Sequence, residues 1–305
     1  MEQFEHGGGV KRAALETGLP EEEVLDFSAS INPLGPPEGV MQAVRQSLAQ
    51  ICHYPEIDGA SLERDLARHH QLEPGCVLAG SGSTELIYTL PRALESKRAL
   101  LVVPCFSEYE RSLRQAGATI DRFALPPEEG FRLDPQRLLG QLHPDTDLVW
   151  LASPGNPTGA TVPVGDIEAL CQGIGEAALV LDEAFIDFVP EASAACLLGR
   201  CPNLYILRSL TKFYAIPGLR AGYLLGSVTG ISRLRSKRIP WTLSTPALAA
   251  ASACLAEEDY RRRTLEMIPP LRRELACGLE GLGLEVFPSE ANYLLARLPS
   301  GHSAG

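Results

Sequence analysis

Basic residues are in short supply in this sequence: 27 Lys and Arg stand against 38 Asp and Glu, a formal net charge of −11. That balance excludes general binding to nucleic acid or to an anionic membrane surface, both of which need a basic face. Histidine is scarce too, at six residues, and the eight cysteines (52, 76, 105, 171, 196, 201, 254 and 277) are dispersed. No C-x-x-C pair and no His/Cys cluster at metal-ligand spacing occurs, which argues against a zinc or redox centre and for reduced thiols. No apolar run approaches the roughly 18 residues that span a bilayer. The start, Met1 to His6, is acidic and lacks a basic segment followed by an apolar one, so no signal peptide and a cytoplasmic location are expected. Internal repeats and low-complexity tracts are absent.

What is present is a chain of 305 residues, 45% hydrophobic and 21% charged, long enough for a large core and a smaller second domain. The first 37 residues are rich in glycine and proline and read as an arm draped over the body, with a short helix at Val10–Thr17. Helical spacing follows over 38–49 and 61–70. His53, His69 and His70 read as surface residues rather than ligands. Then a βα rhythm begins. Short continuous apolar runs at 76–79, 99–103, 148–151, 177–181, 204–207 and 221–225 predict a mainly parallel α/β sheet covered on both faces. The basic groups 233–238 and 261–263 read as solvated helix faces. An apolar helix is expected over 247–257, and a second over 264–282 that Pro269-Pro270 kinks or restarts. Residues 284–287 and 292–296 read as paired strands.

Ligands of such sheets sit beyond the carboxyl ends of the strands, and these ends carry unusual residues. Gly80-Ser81-Gly82-Ser83-Thr84 opens a helix, where backbone amides and hydroxyls can face an anion, yet it lacks the Gly-Lys-Ser/Thr ending of a nucleotide P-loop. Tyr109 and Asn156 follow two further strands. Asp182 ends a fully apolar strand, where an acid is costly to bury without a partner. Ser209, Thr211, Lys212 and Arg220 form a group able to bind a phosphate and leave one amine free for covalent chemistry. Each piece alone has a plain reading as a turn, a cap or a surface charge. Together they supply what pyridoxal phosphate requires: phosphate donors, an acid for the pyridine nitrogen, an oxygen partner and a Schiff-base lysine.

The set Asn156-Pro157-Thr158-Gly159, Asp182-Glu183-Ala184 and Ser209-x-x-Lys212 with Arg220 resembles the fold-type-I pyridoxal-phosphate enzymes of the histidinol-phosphate aminotransferase branch. Within that branch, His6-Gly7-Gly8, residues 26–35, residues 182–188 and residues 211–220 resemble the threonine-phosphate decarboxylases of cobalamin biosynthesis. The resemblance implies that Lys212 holds the cofactor, Asp182 pairs with the pyridinium, Asn156 meets the ring hydroxyl and Tyr109 stacks on the ring. Ser83, Thr84, Ser209, Thr211 and Arg220 would hold the phosphate. Tyr54 would reach the phosphate in a neighbouring subunit, which implies a homodimer with shared sites. His6 and Asn32 would contact a small phosphorylated amino-acid substrate.

The implied layout is an arm (1–37) closing the site, a large cofactor domain (38–235) and a small C-terminal domain (236–305). Aminotransferases of the branch usually carry tyrosine where this chain has Phe185, which tilts the expectation towards decarboxylation of L-threonine O-3-phosphate. Amino transfer of the histidinol-phosphate type is the alternative. Relatives continue into a strand with substrate-binding arginines, so the small domain reads as incomplete. Weakened turnover, or at the limit a non-catalytic relative, is the corresponding expectation.

Overall fold

The computed structural model describes residues 7–299. His6 lies outside them. Seven strands form one sheet: β1 (Val77–Ser81), β2 (Arg98–Val103), β3 (Thr119–Ala124), β4 (Leu148–Ala152), β5 (Ala178–Asp182), β6 (Leu204–Ser209) and β7 (Ala221–Leu225), in the order β1-β7-β6-β5-β4-β2-β3. Six strands point the same way, and only β7, between β1 and β6, is antiparallel to both its neighbours. Successive side chains point to opposite faces of a strand, and both faces are buried. Ala79, Leu100, Val149, Leu179, Leu181 and Ile206 belong to one core cluster, and Leu78, Leu101, Trp150, Val180 and Leu207 to the other. That two-sided burial is why these strands read as unbroken apolar runs.

β3 has no such run. Its sequence, Thr-Ile-Asp-Arg-Phe-Ala, buries only Phe123, because it is the outermost strand and pairs with β2 alone. The C-terminal strands pair as expected but are short, β8 (Glu285–Val286) against β9 (Ala296–Arg297).

Three expectations are corrected. Pro269 and Pro270 lie inside one helix, Glu258–Gly281, and do not restart it. Each proline forfeits one backbone hydrogen bond, but Tyr260, Thr264 and Ile268 already bury one face of the helix, and Arg272 beyond the prolines donates to the Ala291 carbonyl at 2.8 Å. The basic group 233–238 is only partly a solvated face: Arg233 and Lys237 are exposed, but two of its arginines turn inward. Arg235 and Arg238 both pair with the buried Glu63, at 2.6 and 2.8 Å, and so tie two helices to β1. His70 is not on the surface either. Its Nε2 lies 2.8 Å from the Tyr223 hydroxyl, and burial lowers its pKa to about 3, so the ring is neutral.

Among the described residues no helix is long and apolar enough to cross a membrane.

Candidate active site

β5 and β6 are neighbours, and each delivers a charged group to the same sheet edge. Asp182, the last residue of β5, is 5% exposed. Its Oδ1 accepts the Ala184 amide at 2.8 Å, and its Oδ2 accepts the Tyr109 hydroxyl at 2.7 Å. Burial pushes the carboxyl pKa up, opposed by those two hydrogen bonds and by the charge of Lys212. Such a carboxylate is held in place and poorly solvated, and a cationic partner would relieve its cost.

Lys212 follows β6 on a single helical turn, Leu210–Phe213, capped by Ser209. Its Nζ donates to Thr211 Oγ1 at 3.1 Å, and that hydroxyl in turn lies 2.8 Å from Ser209 Oγ. Burial lowers the amine pKa; Asp182 opposes the shift and Arg220 reinforces it. A desolvated amine of this kind is more often neutral, which is what a nucleophile or a proton carrier needs.

Across the sheet edge, Gly82 begins the helix Gly82–Leu94 with φ +72°, a conformation suited to glycine. A Cβ at this position would sit 2.4 Å from Arg220 Nη2, so the guanidinium lies directly over the helix start. Gly222 of β7 is needed for the same approach, since a Cβ there would fall 2.5 Å from the Ser83 amide nitrogen. A helix N-terminus, a guanidinium and hydroxyls at one point form an anion cradle.

The cavity at this edge is lined by Ser83, Tyr109, Asn156, Asp182, Phe185 and Lys212, with Phe106 and Pro154 among the other walls. It therefore collects residues from five separate strand ends. Thr211 adjoins it through Lys212, and Arg220 through Gly82. The side chains of Ser83, Thr84 and Asn156 have no hydrogen-bond partner among the described residues, so their polar atoms remain available to a ligand.

Two other expected site residues, Tyr54 and Asn32, are placed differently, while Tyr109 lies in the cavity wall. Tyr109 stacks on Trp150, with ring centroids 4.9 Å apart, and points its hydroxyl at Asp182. Tyr54 is 85% exposed and lies against Trp241 in a separate groove, away from Lys212. Asn32 is 2% exposed, and its side-chain amide bonds to Phe213 O, Thr264 Oγ1 and the Leu34 amide, so no part of that amide is left for a substrate carboxylate. Two contributors escaped sequence reasoning. Tyr293 meets Phe185 edge-on, with centroids 4.9 Å apart, and donates to the Gly155 carbonyl at 2.6 Å. Beneath Asp182, the next residue, Glu183, pairs with Arg208 at 2.9 Å, both side chains being almost fully buried. Neither carries a local signal, because each depends on a strand or loop remote in sequence.

The family model for class I and II aminotransferases matches residues 22–304. The chain belongs to that family. Among its relatives, the threonine-phosphate decarboxylase of Salmonella typhimurium is 40% identical over 301 residues, covering 96% of this chain and 81% of that protein. An adenosylcobalamin biosynthesis bifunctional protein of Leptospira interrogans is 31% identical over 96% of this chain and 34% of its own length. Among solved structures, the L-threonine-O-3-phosphate decarboxylase of Porphyromonas gingivalis superposes with a TM-score of 0.81 at 25% identity, over 91% of this chain and 83% of that one.

The pyridoxal phosphate expected from the sequence makes three demands on a site of this family. It needs an anion cradle, a buried carboxylate for the ring nitrogen and a desolvated amine. The Gly82/Arg220 cradle, Asp182 and Lys212 are groups of these three kinds, with Asp182 and Lys212 in the cavity wall and the cradle beside it.

Proposed function

We propose that this chain is a pyridoxal-phosphate-dependent decarboxylase that converts L-threonine O-3-phosphate into (R)-1-amino-2-propanol O-2-phosphate and carbon dioxide, a step of cobalamin biosynthesis. The observation that carries the reading is the pairing of a desolvated Lys212 with a buried Asp182 at a cavity walled beside Lys212 by the ring of Phe185, which carries no hydroxyl. The 40% identity to the Salmonella typhimurium enzyme supports the substrate.

When bound, the cofactor supplies an electron sink for the pair released as the bond from Cα to the carboxylate breaks. Asp182 would pair with the ring nitrogen and help to keep a proton there. Arg220, Ser83, Thr84, Ser209 and Thr211 would hold the phosphate, and Asn156 would meet the ring hydroxyl. Lys212 would hold the cofactor, and its amine would carry the proton that Cα takes in exchange for carbon dioxide. Which Cα bond breaks depends on which one stands perpendicular to the ring, so groups that orient the substrate choose the reaction. At Phe185, 5.9 Å from Lys212 Nζ, there is no phenol to engage the ring oxygen.

The reading extends to a homodimer with shared sites. Tyr54 and Trp241 are in ring contact, Trp241 N donates to the Ile57 carbonyl, and all three are between 48% and 85% exposed; an exposed apolar cluster of this kind marks a protein interface. Tyr54 would then serve a partner's phosphate cradle. The arm (1–37), cofactor domain (38–235) and small domain (236–305) are part of the same proposal.

The test is to load the purified protein with pyridoxal phosphate, add threonine phosphate and follow carbon dioxide. Stoichiometric release supports the proposal. Amino transfer to 2-oxoglutarate with no carbon dioxide would replace it with an aminotransferase.

A further inference from the structure

The turn that bears Lys212 is four residues long and poorly held by its own backbone. Two of its closing bonds are long, Tyr214 N to Leu210 O at 3.3 Å and Ala215 N to Lys212 O at 3.4 Å, and the third, Ile216 N to Thr211 O, is 3.1 Å. Carbonyls at a helix C-terminus need outside partners, and here they come from two distant segments. The Asn32 backbone N–H donates to the Lys212 carbonyl at 3.1 Å. Asn32 Nδ2 donates to the Phe213 carbonyl at 2.9 Å and, with its other proton, to Thr264 Oγ1 at 2.9 Å. The Tyr260 hydroxyl lies 3.1 Å from the same Phe213 carbonyl and 2.8 Å from Gly35 O. Asn32 Oδ1 accepts the Leu34 amide at 3.1 Å, which fixes the orientation of the amide. Asn32 and Thr264 are 2% and 0% exposed, so water cannot replace these bonds.

The geometry points to Asn32 as a positioning residue that, clamped by Thr264 and Tyr260, sets where the Lys212 amine stands relative to the cofactor ring. It acts through the backbone of the lysine's own turn and touches neither substrate nor cofactor. This rests on the cofactor reading above and changes the role of the arm, which reaches the reaction from beneath the lysine instead of from the substrate side. An amide fits the position because it must donate twice and accept once. Alanine keeps the backbone bond to the Lys212 carbonyl but leaves the Phe213 carbonyl to Tyr260 alone and removes one partner of the Thr264 hydroxyl.

The experiment compares native protein, Asn32→Ala and Thr264→Val as holoenzymes. Absorption of the lysine-linked cofactor is titrated against pH without substrate, and kcat and KM for threonine phosphate are then measured. A positioning role predicts a displaced titration midpoint in Asn32→Ala, a smaller displacement of the same sign in Thr264→Val, and kcat reduced about 10- to 100-fold with KM within about threefold of native. Direct substrate contact predicts the opposite pattern, a native titration curve with KM raised, and would overturn the inference. If Asn32→Ala does not fold, a native curve in Thr264→Val overturns it equally. A native protein that shows no lysine-linked band at all sinks the cofactor reading itself, a distinguishable failure.

Discussion

At the scale of single residues, the account turns on how burial tunes two groups 30 positions apart in sequence. Burial holds the Lys212 pKa below its ordinary 10.5. In the window between the lowered value and 10.5, the folded chain carries a neutral amine while the unfolded chain carries a charged one. Stability therefore rises with pH across that window and is lost as pH falls through the lowered value. Lys212→Met removes the titration. In cofactor-free protein, the variant is expected to be more stable than native at neutral pH, by a margin that shrinks as pH approaches 10.5. Urea unfolding at several pH values measures the margin, and a constant one would mean that the amine is not desolvated. The residue types Lys212, Asp182 and Asn156 were legible in the sequence because each follows an apolar run, where a polar side chain is anomalous. Asn32 was legible as important but not in its role. Its partners, Phe213 and Thr264, lie 181 and 232 positions away, and no local pattern encodes such pairings.

At the scale of elements, the cradle depends on β7 approaching the start of the helix Gly82–Leu94 closely enough to exclude a methyl group. Gly222→Ala places a Cβ 2.5 Å from the Ser83 nitrogen and 2.8 Å from the Gly82 carbonyl carbon. Backbone must move, an overpacking cost of about 1–3 kcal/mol. Expressed at the phosphate, that cost is a roughly 10- to 100-fold loss of cofactor affinity, measurable by titrating the apoprotein with pyridoxal phosphate. A second prediction concerns the support beneath Asp182. Glu183 is buried against Arg208, and it also accepts the Ala194 amide at 2.7 Å and the Ser193 hydroxyl at 3.0 Å. Glu183→Ala strands the Arg208 charge and is expected to cost about 3–5 kcal/mol of stability. A loss under about 1 kcal/mol in denaturant unfolding would mean that Asp187, 3.4 Å from Arg208, suffices as its partner. Buried central strands were readable because both of their faces are apolar. β3 was not, since an edge strand with one buried residue has no apolar run to read. The unbroken helix across Pro269-Pro270 escaped for a related reason: its stability comes from tertiary docking, which outweighs a local proline rule.

At the scale of the whole molecule, strand order converts distant sequence positions into one cavity, while Tyr54 and Trp241 form an exposed apolar cluster on loops outside the sheet. If that cluster meets a second copy, Trp241→Glu shifts sedimentation from dimer to monomer and weakens cofactor binding as well, because Tyr54 leaves the partner's site. A native monomer would contradict the shared-site arrangement. The central claim is that the holoenzyme exchanges the Cα carboxylate of threonine phosphate for a single solvent proton. Turnover in deuterium oxide tests it most directly. The account predicts one carbon dioxide per aminopropanol phosphate formed and one deuterium on the carbon that carried the carboxylate. Recovery of the 2-oxo acid, or of threonine phosphate deuterated at Cα with its carboxylate intact, and with no carbon dioxide released, would contradict it.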